Sequence, residues 1–589
     1  MKSRQILYYV LAFLLALGLR FIGLGAVPLT DKEATLALQA LAIAQGQNPL
    51  LGGQPGYILL TSIPFYLFES SNFLARAIPA LAGSLLVFVP YFFFDLPHPN
   101  LPPKGEGTGL AQRDTFSPLG GDVQRTEGAN VAIVTAFLLA IAPGLIAVSR
   151  QAGGTMLMVT FGLLARAMWQ EKRPKLAGVF AGIALLGGPS VWLGLLIAGL
   201  TWALAQNLLP AEETEITESS SDQERSRADD LKTAAIYGGG TLLLIGTLFF
   251  QSPNGLSALF ASLVEFLQGW RFASGVPSAR IIGGLGAYYP FALLFGILAS
   301  VRGILRRDRM SLELSLWALV ALLLVIFYPA RQVSDLIWVG LPLWVLSARE
   351  LERYLHLPTF DRNETFGVFA LTILLLSFAW LNISGTASAV AIGAPLNSRL
   401  ALIAGSLILL VLSLGLIAVG WSLETATLGG VWGTALMLGL YTLSAAWGSS
   451  GLRTPKGFEL WDNAPRVAQP GLLVDEVDTT LNISQQIATT PKIAVYQINS
   501  PTLFWALRNH DVDAVNALNS DAAYEIVITP HDEQNELESA YRGQDVTWRQ
   551  APSWVVVNKA TWLVLREAPL QTEQIILWVR NDLFYDSQN

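Results

Sequence analysis

The residues best suited by type to do chemistry stand close to the N-terminus, in Pro28-Leu-Thr-Asp31-Lys32-Glu33-Ala34. A carboxylate can take the proton of an attacking hydroxyl, so Asp31 and Glu33 are a candidate general base and its partner. The same stretch also suits a structural role. Thr30-x-x-Glu33 ahead of Leu36, Leu38, Leu41 and Ile43 is the pattern of a capping box that opens an amphipathic helix. Asp31 in a first helical turn then complements the helix dipole. Local chemistry alone favours the capping box, because such boxes are far commoner than catalytic pairs.

Composition removes other chemistries. The 589 residues include no cysteine, which excludes disulfides, thiolate metal sites and thiol nucleophiles. The four histidines (His98, His356, His510 and His531) are too scattered in sequence for a His-rich metal centre. A divalent metal assisting the carboxylates stays compatible with the sequence. A net charge of −7 supplies no basic stripe to displace counterions from phosphates, so a nucleic-acid partner is not expected.

The elements that must position Asp31 and Glu33 are membrane spans. Only 14% of the residues are charged and 52% are hydrophobic, whereas a soluble domain carries about 25% charged residues. Lys2 and Arg4 ahead of an apolar run to Val27 could mark a signal peptide, but no small-x-small cleavage site precedes Pro28, so the run reads as a retained first span. Lys- and Arg-rich short loops stay cytoplasmic. Spans are then expected at 5–27, 73–94, 130–149, 155–170, 176–188, 190–207, 233–250, 281–301, 310–328, 334–349, 365–383, 398–420 and 427–447. The clusters Glu171-Lys-Arg-Pro-Lys175 and Arg306-Arg307-Asp308-Arg309 fall on the inner side in this register. The fold class expected is a polytopic α-helical membrane domain of about thirteen spans over residues 1–447, followed by a small extracytoplasmic α/β domain over 448–589.

Within the first domain, 28–72 reads as an outer loop with interfacial helices, and 210–232 as a polar inner linker. Residues 95–129, rich in Pro and Gly, read as a disordered inner insertion. In the second domain, strands are expected at Ile493–Gln497, Glu525–Thr529, Val546–Arg549, Trp554–Val557 and Trp562–Arg566, with an edge strand at Ile575–Arg580. Helices are expected at Thr479–Ala488 and Leu503–Arg508.

A first span, an acidic motif after it, and an Ala-rich helix ending in Gln45-Gly46 resemble the GT-C superfamily of membrane glycosyltransferases. In pattern the chain is similar to the protein O-mannosyltransferases and the aminoarabinose transferase of lipid A. The likeness continues through Gln54-Pro-Gly-Tyr57, Leu74-Ala-Arg76-Ala-Ile-Pro79-Ala-Leu-Ala-Gly83 and Ala142-Pro143…Ser149-Arg150. Leu341-Pro342-Leu343 is similar to the family's late Leu-Pro motif.

The resemblance implies a reaction at the extracytoplasmic face of a bacterial inner or plasma membrane, part of the cell envelope. The donor would be a polyprenyl-phosphate sugar, and the acceptor a protein, lipid or glycan. Asp31 would stand at the family's catalytic carboxylate and deprotonate the acceptor hydroxyl for an inverting attack, with Glu33 beside it. Lys32, Gln54 and Tyr57 would contact substrate, while Arg150 and Arg331 would hold the departing lipid phosphate, to which a planar guanidinium is well matched. Each arginine also fits an interfacial anchor, and Arg76 is assigned to anchoring or helix packing.

The chain departs from the family pattern in three places. Lys32 separates the two acids, and residues at i and i+2 do not face each other on a helix. Gln54 stands where relatives place a lysine, and Gln151-Ala-Gly-Gly-Thr155 lacks an acid that many members carry. A non-catalytic scaffold or assembly subunit with an eroded site is therefore the alternative. A transporter ranks third, because internal repeats and mid-span ionisable residues are not evident. Glu265 reads as a water-facing helix residue or a cleft residue, and Asp335 as a partner for Arg331.

Overall fold

Long apolar runs frame the computed structural model, which describes residues 3–94, 120–209, 220–355, 362–453, 457–462, 464–484, 492–517, 524–531 and 541–581. Among these, seven helices are long and apolar enough to cross a bilayer: Arg4–Phe21, Asn72–Phe94, Ser190–Leu208, Arg309–Phe327, Arg362–Val390, Asn397–Gly420 and Leu423–Ser449. Two bent pairs raise the number to nine if each is one span. The chain is a multi-pass membrane protein. Two other expected spans are shorter helices, Thr155–Gln170 and Pro174–Leu185, with 16 and 12 residues.

Both bends fall at prolines, which lack the helical N–H and clash with the preceding turn. Gly128–Ile141 turns by 57° into Pro143–Ser149, and Ser278–Tyr288 by 88° into Pro290–Arg306. The expected straight spans 130–149 and 281–301 are therefore each broken. The stretch expected as a linker, 210–232, is corrected from Ser220 onward: it opens the helix Ser220–Gly246, whose charged first half has good helix formers and an Asp229–Lys232 ion pair. Its residues 210–219 lie outside the described residues. So do 95–119 of the expected insertion, while Gly120 already begins a helix that runs to Ile141.

Between the first and second spans lie the helices Asp31–Ala44 and Pro55–Phe68. Ala34, Ala37 and Ala40 make the buried face of the first, so it closes tightly on the bundle. Gly188 (φ +101°) turns the chain beneath them. A Cβ there would lie 2.6 Å from Gln54 Cγ, so only glycine permits the approach.

The C-terminal part forms one six-stranded sheet. Its strands are β1 (Arg466–Val467), β2 (Ile493–Tyr496), β3 (Val512–Val515), β4 (Ile526–Pro530), β5 (Tyr541–Pro552) and β6 (Leu570–Arg580), in the spatial order β1-β5-β6-β4-β2-β3. β2 pairs in parallel with β3 and β4, and the other pairings are antiparallel. Ile493, Val495, Ile526, Ile528, Val546, Trp548, Ile575 and Leu577 point to one face. The helices Pro470–Ser484 and Pro501–Ala506 add Leu473, Val477, Leu481 and Leu503 to that core.

Three expectations for this part are corrected. No strand forms at 554–557, where residues 554–556 make a turn. Trp562–Arg566 falls in a helix, Lys559–Leu565, because Asn558 caps it: its side-chain oxygen accepts from the amides of Ala560 and Thr561 at 3.0 and 3.3 Å. Local capping outweighs the β-propensity of Trp-Leu-Val-Leu. Finally β6 is interior, since it pairs with both β4 and β5. Residues 485–488 of one expected helix lie outside the described residues.

Candidate active site

The helix Asp31–Ala44 starts with the capping box that its sequence spells. Thr30 Oγ1 accepts from the Glu33 amide at 3.5 Å, and Glu33 Oε2 accepts from the Thr30 amide at 2.9 Å. Glu33 does more than cap. It is 5% exposed, and Arg76 grips it with two hydrogen bonds, Nε to Oε1 and Nη2 to Oε2, each 2.8 Å. The Ala152 amide donates to Oε1 at 2.8 Å. Burial works to raise the Glu33 carboxyl, but Arg76 and these amides outweigh it and hold the group below the ordinary carboxylate range. Arg76 also donates to the carbonyls of Leu24, Val27 and Pro28. Its role is packing: one guanidinium fastens the end of the first span to the helix Asn72–Leu85.

Asp31 points the other way, into the C-terminal sheet domain. Its Oδ1 accepts from Ser500 Oγ at 3.0 Å and from the Thr502 amide at 3.1 Å, at the start of the helix Pro501–Ala506. Its Oδ2 accepts from Arg549 Nη2, on β5, at 2.5 Å. Arg549 also pairs with Glu573 at 3.3 Å and donates to the Asn499 carbonyl at 3.0 Å. Trp548 donates to Ser500 Oγ at 3.1 Å and so fixes that hydroxyl. Around this contact the domain is seated on the bundle by Trp505 on Asn72 (2.7 Å) and Arg508 on Ser70 (2.8 Å). The carboxylates of Asp31 and Glu33 thus diverge and form no shared chelate. Among the described residues no three His, Asp or Glu side chains gather as a metal site.

Lys32 is exposed on the same turn, and its charge acts on Glu265. Burial raises the Glu265 carboxyl and Lys32 partly counters it. Glu265 lies against Gly53, where a Cβ would come within 2.4 Å of its Oε2. Gln54 Oε1 accepts from the Gly154 amide at 2.8 Å. Tyr57 is fully buried, with its hydroxyl donated to the Ala75 carbonyl at 2.7 Å.

The two predicted phosphate arginines sit on helix ends. Arg150 donates to the carbonyls of Leu19, Arg20, Ile22 and Gly23, closing the C-terminus of the first span. Burial, with the nearby charge of Arg76, lowers its guanidinium to about 10. Arg331 donates to the carbonyls of Val276, Ile326 and Tyr328. Asp335 is not its salt-bridge partner. That carboxylate closes a capping box by accepting from the Gln332 amide at 2.8 Å. Arg549, Ser500 and Thr502, which sequence reasoning did not single out, are what the structure brings to Asp31. Only the expected strand at 546–549 hinted at them.

Spans in series, two helices between the first and second of them, an acid heading the first of those helices, and a C-terminal sheet domain seated upon it define the fold as a multi-pass helical bundle that carries a sheet domain over one carboxylate. The particular likeness is to ArnT from Cupriavidus metallidurans bound to undecaprenyl phosphate, with a TM-score of 0.53 and 14% identity over 99% of both chains. The same protein in its apo state gives 0.49 and 14% over 98% of each. The archaeal oligosaccharyltransferase AglB from Archaeoglobus fulgidus, in complex with an inhibitory peptide and a dolichol-phosphate, gives 0.42 and 13%, over 87% of this chain and 64% of that one. At such identity the likeness to ArnT is one of fold. No family model matches the chain, and no curated protein does.

Proposed function

We propose that this chain is a GT-C-type glycosyltransferase that moves a sugar from a polyprenyl-phosphate donor to a hydroxyl acceptor (protein, lipid or glycan) outside the cytoplasm. In this reading it lies in the inner or plasma membrane with its N-terminus inside and residues 448–589 outside. The observation that carries the reading is the place of Asp31. It heads a helix at the seam between the bundle and the sheet domain, with its side chain 27% exposed and Arg549 as its ionic partner. The fold shared with a protein captured on undecaprenyl phosphate supports the donor class.

In the reaction the Asp31 carboxylate takes the acceptor's proton as the hydroxyl oxygen attacks the anomeric carbon. The bond from that carbon to the phosphate oxygen breaks, and the polyprenyl phosphate leaves with the electron pair, inverting the centre. Lys32, exposed one residue on, supplies positive charge for the leaving phosphate. Arg150 and Arg331 support this geometry by closing helix ends. Arg549 is assigned the part of orienting the Asp31 carboxylate, to which it is hydrogen-bonded.

Asp31→Asn tests the reading in membranes supplied with a lipid-linked sugar. Transfer should be lost while the protein stays inserted and folded, and full transfer by that variant would overturn the assignment. A second reading, a non-catalytic scaffold, is favoured by one observation: both Asp31 oxygens already hold donors from the sheet domain. It predicts that wild-type and Asp31→Asn proteins alike transfer nothing and that the substitution only loosens the domain.

A further inference from the structure

The sheet domain meets the bundle at a second place, and there it turns apolar side chains outward. Between β5 and the helix Lys559–Leu565 the chain makes a turn at 554–556. Val555 is 99% exposed and Val556 71%. Two adjacent valines at a turn's tip are unusual, since turns favour Gly, Asn, Asp, Ser and Pro.

The flanks of this tip are aromatic and fixed to the bundle. The Arg280 guanidinium lies 4.3 Å from the centre of the Trp554 ring. Trp562, 6% exposed, meets Trp554 edge-on at 6.1 Å and Tyr288 at 6.3 Å. Arg280 and Tyr288 belong to Ser278–Tyr288, the helix that lies at 88° to Pro290–Arg306. When the latter crosses the bilayer, the former lies along its surface, and whatever stacks on Arg280 sits at that level. Helix Lys559–Leu565 also packs on the 30-residue helix Arg362–Ala391. That helix, about 45 Å long, exceeds a hydrocarbon core of about 30 Å and must project from it. Lys559 is exposed beside the valines, and Leu565 and Leu570 are each 44% exposed. An apolar tip with a tryptophan behind it and a cation beside it is the set of residue types that a membrane interface selects.

We propose that Val555 and Val556 insert into the lipid leaflet on the side of the sheet domain, with Trp554 and Trp562 at headgroup level and Lys559 facing lipid phosphates. The occupant of this surface is the chain's own bilayer. The tip holds the domain down over the Asp31 seam, separately from the Asp31–Arg549 contact, and does so whether or not the chain transfers a sugar.

The chain has no cysteine, so a single Val555→Cys label reports this position alone. The full-length protein, labelled with an environment-sensitive fluorophore, is placed in vesicles of phosphatidylcholine and phosphatidylglycerol. Brominated phosphatidylcholine should remove about half of the emission, as expected for a probe within the acyl boundary. Aqueous iodide should remove little. A label at Gln544→Cys, exposed on the far part of β5, should behave in the opposite way. Iodide quenching of the Val555 label as strong as at Gln544 overturns the proposal. So does protection from both quenchers, which would mean that a partner protein or a second copy covers the tip.

Discussion

Asp31 and Arg549 are 518 positions apart in the chain and 2.5 Å apart in the fold. Two residues further along the same helical turn, Glu33 is bound entirely within the bundle, by Arg76 and the amides of Thr30 and Ala152. A single turn thus joins two bodies, with one acid facing each. The Asp31–Arg549 pair is partly solvated, with the two side chains 27% and 15% exposed, so it contributes at most about 1 kcal/mol. Arg549→Ala should therefore speed proteolytic release of the sheet domain by up to about fivefold. Asp31→Asn retains an oxygen for Ser500 and Thr502 and should speed it less. Cleavage of Arg549→Ala at the wild-type rate would show that the pair does not hold the domain.

What can be read in the chain beforehand follows the range of each interaction. The capping box is legible because its partners are three residues apart, and the strands at 493–497 and 525–529 because an apolar run reports its own burial. Arg549 is not legible, since nothing in residues 546–549 states which surface the strand will meet. The helix at Lys559–Leu565 misleads for a related reason. Its Trp, Leu and Val favour a strand, and a single Asn558 cap decides otherwise. Arg150 is a further case: an arginine at the end of an apolar run looks the same whether it awaits a phosphate or closes a neighbouring helix.

The Glu33–Arg76 pair should give the protein an acid-sensitive fold. Glu33 titrates below its ordinary value of 4.5, so its stabilising contribution is complete above that pH and is lost as pH falls through the lowered value. Thermal unfolding in detergent should therefore show a melting temperature that declines below about pH 4.5, the unperturbed glutamate range. Glu33→Gln should flatten that decline and also lower the melting temperature at neutral pH, because it leaves Arg76 buried without its charge partner, at a cost of about 3–5 kcal/mol. A Glu33→Gln protein with the wild-type pH profile would mean that the pair does not govern acid stability.

Arg20 and Arg150 close each other's helices. Arg20, fully buried on the first span, donates to the carbonyls of Leu139 and Ala140 just before the break at Pro143, while Arg150 beyond that break donates to the last carbonyls of the first span. Ser149 adds its hydroxyl as an acceptor for Arg20 Nε at 3.2 Å. Gly83 faces this junction, and a Cβ there would come within 2.0 Å of Ser149 Oγ. Gly83→Ala and Arg20→Ala should each lower thermal stability, the second by about 1–3 kcal/mol for each carbonyl left unpaired in the bundle. Leu81→Ala, at an exposed position on the same helix as Gly83, is the control and should change the melting temperature far less. Equal losses in all three would show that the junction is not special.

The segment that leads from the last span back to the sheet is fastened at Tyr288. Its hydroxyl donates to Glu459 Oε2 at 2.5 Å and accepts from the Leu460 amide at 2.9 Å, while Arg566 stands 3.7 Å from the same carboxylate. Burial raises the Glu459 carboxyl above its ordinary range even with Arg566 opposing, so this acid depends on the hydroxyl for its solvation. Tyr288→Phe removes one donor and one acceptor together and should destabilise the protein by about 1–3 kcal/mol, read as a lower melting temperature by tryptophan fluorescence. Glu459→Gln alone should also destabilise, because Arg566 then loses its counter-charge. The double variant should lose less than the sum of the two, since both substitutions act on one network. Strict additivity would mean that Tyr288 and Glu459 touch without sharing energy.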